Sequence, residues 1–324
     1  MGLASSVAKV VVSAIAFQPP KPAHYKLFSD RRTGKYYLDV YPYLNENINI
    51  MRLRTRIGTS IVAAYFSHPM ATTTVLYSHG NGYDLGDIFS RLVAISSQMR
   101  VNIMAYDYSG YGQSTGLASE ENTYADIDAA LKCLEGIYGA RREDIILYGR
   151  SIGTGPTVDL AYRTPRLKAV VLQSPMLSGF RLLCPSNETY WFDIYKVFVY
   201  NSFLRHHQQN NFFSTLLHLI MLIIILQNVE KVPLIDCPVL VIHGTSDQVI
   251  PFAHGKRIYS LCKNKLPPLW IEGGHHDDLF DYPELLAHLR KGLYAVERRP
   301  SIWNGNFIRS KLYESDPCFF PDSF

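Results

Sequence analysis

The stretch Asp144-Ile145-Ile146-Leu147-Tyr148-Gly149-Arg150-Ser151-Ile152-Gly153 decides the reading of this chain. An apolar, β-branched run ends in a G-x-S-x-G pentapeptide, and a helix-like segment, Thr157 to Arg163, follows. Strand, sharp turn and helix are the context in which a serine stands exposed above a sheet edge. The two glycines fit a strained turn where side chains flanking the serine would clash. The pentapeptide alone carries little weight, since short Gly/Ser patterns arise by chance; the strand and helix around it carry the argument.

Outward from this stretch, strand-like and helix-like segments alternate. Thr73 to Tyr77 is β-rich and ends in Ser78-His79-Gly80-Asn81-Gly82. A helical stretch is expected over about Gly86 to Met99, then a strand over Val101 to Tyr106 and a loop from Asp107 to Gly112. Tyr124 to Tyr138 places Ile127, Leu131, Leu134 and Ile137 at helical spacing. Further strands are expected at Leu167 to Leu172, Pro238 to Ile242 and Pro268 to Ile271, and a last helix runs from Pro283 to about Val296. Continuous apolar strands between helices predict an α/β fold with a mainly parallel, doubly wound sheet covered on both faces. Ile48 to Phe66 is less regular and suits antiparallel edge strands.

Composition narrows the classes. The chain has 324 residues, 47% hydrophobic, enough for a large core, and a net charge of only +4. No long Lys/Arg stripe marks a nucleic-acid partner. Cys133, Cys184, Cys237, Cys262 and Cys318 are scattered, with no C-x-x-C pair, so a reducing compartment is the simpler reading. No apolar run reaches spanning length. Met1-Gly2-Leu3-Ala4-Ser5-Ser6 fits the N-myristoylation pattern, making Gly2 a lipidation candidate. A secretory signal reads less well, because Lys9 interrupts the segment. A single acyl chain binds membranes only marginally, so peripheral contact would need help from neighbouring apolar residues.

A serine nucleophile needs a base and a group that orients the base. In an open parallel sheet these lie just past the C-terminal ends of strands, in the order Ser, Asp or Glu, His. Asp247, in His243-Gly244-Thr245-Ser246-Asp247, meets that test, whereas Asp236 precedes its strand. The base is His275 or His276, and spacing does not choose between them. His79, His243 and His254 read as structural. Acyl transfer also needs oxyanion donors. The backbone N–H groups of Ile152 and Asn81 are the candidates, with the Asn81 side chain alternatively pinning its own loop.

Tyr77-Ser78-His79-Gly80-Asn81, Tyr106-Asp107-Tyr108-Ser109-Gly110-Tyr111-Gly112-Gln113-Ser114, the Ser151 pentapeptide, His243 to Asp247 and Gly273-Gly274-His275-His276 together resemble the α/β-hydrolase domain-containing 17 family, above all its plant members. The N-terminal segment, 1–24, reads as a lipidated-anchor candidate through Gly2, and the tail, 298–324, which lacks periodicity, as loosely ordered. The resemblance implies an α/β-hydrolase domain over residues 25–297, interrupted by an atypical insert, 197–227. It implies a serine hydrolase with Ser151, Asp247 and His276 as the triad, no metal or organic cofactor, and an acylated membrane protein or acyl ester as substrate. Animal members are acyl-protein thioesterases that remove palmitate. The implied location is cytoplasmic, peripheral on a membrane face. A carboxylesterase or lipase and a non-catalytic binding protein are the other readings. Animal members carry an N-terminal cysteine cluster, and this chain has no cysteine before Cys133.

Two departures stand out. Gly82-Tyr83 replaces an Ala-Ala pair, placing Tyr83 by the oxyanion loop, where it would narrow the acyl entrance. Residues 197–227 interrupt text that otherwise runs from Lys196 into Asn228. This segment starts with Val, whose codons begin GT, and ends with Gln, which CAG encodes; its apolar run suits a pyrimidine-rich tract. A translated, retained intron is the preferred reading and a lid over the site the alternative.

Overall fold

The computed structural model describes Ser13 and residues 16–40, 46–178 and 228–297. Gly2, the tail after residue 297 and the segment 197–227 lie outside the described residues.

Along the chain run β1 (Leu27–Ser29), β2 (Tyr36–Leu38), β3 (Ile48–Arg54), β4 (Ser60–Phe66), β5 (Thr74–Ser78), α1 (Leu85–Met99), β6 (Asn102–Tyr106), α2 (Glu120–Gly136), β7 (Ile145–Arg150), α3 (Thr154–Arg163), β8 (Ala169–Gln173), β9 (Val239–Gly244), α4 (Phe252–Leu261), β10 (Leu269–Ile271) and α5 (Pro283–Glu297). The ten strands form one sheet in the order β1-β2-β3-β4-β6-β5-β7-β8-β9-β10. From β6 to β10 every pairing is parallel. The segment Ile48 to Phe66 supplies the antiparallel hairpin β3–β4, and β1 and β2 extend that edge.

Alternation along the strands builds two apolar layers. Val75 and Tyr77 of β5 and Ile146 and Tyr148 of β7 join Leu85, Ile88, Phe89 and Leu92 of α1 and Leu285 and Leu289 of α5. Leu76, Ile145 and Leu147 face the other way, onto Ile127, Leu131 and Leu134 of α2, Val158 and Leu160 of α3 and Ile258 of α4. Each such side chain, removed from water, contributes about 1.5–3 kcal/mol.

Helix boundaries follow local chemistry. Asp84 caps α1 by accepting the Gly86 and Asp87 amides, Asp87 accepts the Asp84 amide in return, and Arg100 ends the helix in the left-handed region at φ 53°. Helix α2 starts at Glu120, earlier than the periodicity predicts, because the Ser119 hydroxyl caps the Asn122 amide. Helix α3 starts at Thr154, before Pro156, since a proline in a first turn removes a donor that had no intrahelical acceptor.

Between β8 and β9 the described chain stops at Ser178 and resumes at Asn228. Those two ends are tied together. The Val229 amide donates to Leu177 O at 3.1 Å, and the Asn228 side chain donates to Met176 O at 2.9 Å. The described ends at Met176–Leu177 and Asn228–Val229 are thus held together by hydrogen bonds.

Candidate active site

Ser151 ends strand β7 at φ 54°, a left-handed conformation that a residue with a side chain adopts only when its surroundings impose it. A one-turn 3-10 segment, Ser151–Gly153, then leads into α3. The flanking glycines are demanded by contact. A Cβ on Gly153 would lie 2.3 Å from Ser78 O, and one on Gly149 would lie 2.6 Å from Gly153 O. The tight approach leaves the serine at the C-terminal end of the central strands.

Two neighbouring loops bring their side chains to it. His276 Nε2 lies 3.0 Å from Ser151 Oγ, and His276 Nδ1 lies 2.7 Å from Asp247 Oδ2. A carboxylate only accepts, so Nδ1 carries the proton and Nε2 is left to accept from the serine hydroxyl. The other Asp247 oxygen accepts the Val249 and Ile250 amides at 2.9 and 2.7 Å. Burial opposes the Asp247 charge. Hydrogen bonds from the His243 and His276 rings, the His276 charge and the Ile250 amide outweigh it and hold the carboxyl well below the usual carboxylate range. Ser151, Asp247 and His276 are each buried.

The structure separates the adjacent histidines. His275 is exposed and directs Nδ1 to Ser246 O and Gln248 Oε1, both at 3.0 Å. His243 is fully buried, with Nε2 2.9 Å from Ile250 O, and His254 Nδ1 meets the Leu177 amide at 3.3 Å. Asp236 stays remote, paired with Lys263.

The loop after β5 passes beside the serine: a Cβ on Gly80 would lie 3.7 Å from Ser151 Cβ. Tyr106 at the end of β6 and Tyr108 and Tyr111 in the loop after it hold it, a pattern that spacing did not disclose. Tyr106 and Ser78 meet hydroxyl to hydroxyl at 2.8 Å, Tyr108 donates to His79 O at 2.6 Å, and Tyr111 donates to Asn81 Oδ1 at 2.6 Å. Burial, only partly offset by the bond to Gly80 O, pulls the His79 ring down to about 4, so it is neutral. The Asn81 side chain also accepts the Gln18 amide and donates to Ala16 O, each at 2.9 Å. It pins its own loop to Tyr111 and to the N-terminal residues Ala16 and Gln18.

Sequence reasoning also missed Arg150. This side chain is 1% exposed, and its guanidinium reaches Asp277 Oδ1 at 2.6 Å and His276 O at 3.4 Å. It lies 4.7 Å from the Tyr83 ring centroid, and the Tyr83 hydroxyl donates to Asp277 Oδ1 at 3.1 Å. Tyr83 thus spans to the loop that carries His276. A charged residue closing an apolar strand was the available signal.

Alpha/beta hydrolase domain-containing protein 17B of Xenopus tropicalis is 37% identical over 291 residues, covering 87% of this chain and 90% of that protein. The chain belongs to the alpha/beta hydrolase domain-containing protein 17 family. Human 17B, another member, is 36% identical over the same coverage, and aho-3 of Caenorhabditis elegans is 37% identical over 289 residues, covering 86% of this chain and 76% of its own. A family model described as serine aminopeptidase, S33, matches residues 70–216. Among solved structures, an esterase of Pyrococcus furiosus matches with a TM-score of 0.56 at 16% identity, covering 76% of this chain and 92% of that one. A Pseudomonas aeruginosa protein matches at 0.58 and 14%, covering 83% and 99%. These place this family member in the α/β-hydrolase fold, as its parallel sheet already indicated. Among its described residues, no helix is long and apolar enough to cross a membrane.

Proposed function

We propose that this chain is a serine hydrolase that cleaves acyl thioesters or esters, with removal of palmitate from proteins as its reaction. The observation that carries the reading is the hydrogen-bonded series Ser151–His276–Asp247, entered through a serine at φ 54°.

In this mechanism His276 Nε2 takes the Ser151 proton as Oγ attacks the acyl carbonyl. Asp247 holds the ring and stabilises the imidazolium. The N–H groups of Ile152 and Asn81 receive the oxyanion. His276 then returns the proton to the leaving sulfur or oxygen, and water, activated by the same imidazole, releases the acid from the acyl-enzyme. A cysteine thiolate, with its parent thiol near a pKa of about 8.5, leaves more readily than an alkoxide, which favours thioesters at equal acyl fit. The acylated substrate is a membrane protein, and the chain works at the cytoplasmic membrane face, held peripherally with Gly2 as the lipidation candidate.

The test is fluorophosphonate labelling of the full-length chain beside Ser151→Ala, followed by hydrolysis of a palmitoyl-cysteine peptide and its palmitoyl-serine counterpart. Labelling lost only in Ser151→Ala, with the thioester preferred, supports the reading. A preferred oxoester would move it to an esterase or lipase. Absent labelling of the wild type would favour a non-catalytic binding protein.

A further inference from the structure

We propose that Tyr83, Arg150 and Asp277 form a brace that fixes the mutual positions of the three loops carrying the oxyanion donors, the nucleophile and the base. They act as positioning residues for the hydrolase reaction, and the inference rests on that reading.

Each member stands beside a working residue on a different strand end. Arg150 precedes Ser151, Asp277 follows His276, and Tyr83 lies two residues beyond Asn81. Asp277 Oδ1 receives both the Arg150 guanidinium and the Tyr83 hydroxyl, and the Tyr83 ring covers the guanidinium. One carboxylate oxygen thereby joins all three loops. The same guanidinium also reaches the His276 carbonyl oxygen.

The arrangement is a poor stabiliser taken by itself. The guanidinium is almost wholly buried, its Nε and Nη1 have no hydrogen-bond partner among the described residues, and its carboxylate partner is 59% exposed. Desolvating a cation to that extent, with a half-exposed carboxylate as its one charged partner, returns little net stability, and apolar replacements of similar volume at such places are often neutral or stabilising. What the residues do provide is a fixed distance. A misplacement of about 1 Å between reacting groups costs about 100-fold in rate. The unpartnered Nη1 sits beside Gly80, within 3.7 Å of where its Cβ would be, so the cation packs against the oxyanion loop as well.

The experiment compares the full-length chain with Tyr83→Phe, Asp277→Asn and Arg150→Met. It measures melting temperature, amide hydrogen exchange in residues 79–84 and 273–278, and kcat and KM on the palmitoyl-cysteine peptide. Tyr83→Phe keeps the ring over the guanidinium and loses only the hydroxyl. It is expected to lower kcat about 3–10-fold with KM within about twofold, and to speed exchange in 273–278 at an unchanged melting temperature. Arg150→Met is expected to hold or raise the melting temperature while lowering kcat about 100-fold. The double variant Tyr83→Phe, Asp277→Asn should be no worse than the worse single variant, since the second change weakens, by removing the charge, the contact that the first removes. Unchanged exchange in 273–278 in all three variants overturns the brace, as does kcat within about twofold of wild type. If the wild type neither labels nor hydrolyses, the hydrolase reading fails by itself, and the exchange measurement still decides whether the loops are tied.

Discussion

His275 and His276 are neighbours in the chain, yet only His276 turns its ring to Ser151, while His275 turns outward to Ser246 and Gln248. His276→Ala and Asp247→Asn are therefore expected to lower kcat on an acyl thioester by about 10⁴-fold, the second by leaving the imidazole in the wrong tautomer. His275→Ala should stay within about twofold of wild type. Single-turnover kinetics of the three variants checks the split, and an inactive His275→Ala would mean the pair has been read in the wrong order.

Gly153→Ala would set a methyl group 2.3 Å from Ser78 O, a backbone atom that cannot rotate aside. The expected cost is about 1–3 kcal/mol of stability, read as a lower urea midpoint at an unchanged slope. Fluorophosphonate labelling should fall as well, because the shift displaces the serine turn against the oxyanion loop.

Asn81→Ala removes the acceptor of Tyr111 and Gln18 and the donor to Ala16. The part-buried bonds of the Tyr111 hydroxyl and of Ala16 O are the ones whose loss counts, at about 1–3 kcal/mol each. Tyr111→Phe cuts one bond and should cost about 0.5–1.5 kcal/mol. Thermal denaturation of both variants orders them; equal midpoints would show that the contacts with Ala16 and Gln18 contribute nothing.

Asp126 accepts the Ser109 amide and hydroxyl at 2.7 and 2.8 Å, and burial outweighs both bonds to push its carboxyl up to about 7. The folded state thus holds a proton that the unfolded chain releases near 3.8. This contribution is complete below the unfolded value and is lost as pH rises through about 7. The melting temperature of the wild type should fall between pH 5 and pH 8 more steeply than that of Asp126→Asn. Parallel profiles for the two proteins would contradict the assignment.

A chain lacking residues 197–227 is expected to unfold cooperatively at the wild-type midpoint, since a hydrogen bond already holds Leu177 and Val229 together and loop length enters the closure cost only logarithmically. A drop of more than about 5 °C would assign those residues a place in the core. Transcripts joining the codons of Lys196 and Asn228 would support the intron reading.

The strand segments from β5 to β10 and the strand-end positions of Ser151 and Asp247 were legible because parallel strands buried on both faces leave continuous apolar runs. Spacing left the choice of histidine open, since only the family resemblance or the turn after β10 decides which of two adjacent rings faces inward. Helix α4 escaped notice because Phe252 to Leu261 buries only His254, Gly255 and Ile258, too few apolar positions to show a period. Strands β1 and β2 are three residues each and mostly open to solvent, so no alternation marks them. The tyrosines holding the Ser78 to Asn81 loop and the Arg150 contact join segments distant in sequence, and no local pattern records such pairs.

The bonds from Asn81 to Ala16 and Gln18 tie these N-terminal residues to the loop whose Gly80 lies beside Ser151. Gly2 lies 14 residues before Ala16, a reach of at most about 50 Å when fully extended. A lipid on Gly2 would then do more than raise the local concentration of enzyme at a bilayer. Tied to the Asn81 loop, a chain so lipidated would keep that loop within this reach of the bilayer, and acyl groups close to the headgroups would fall within range.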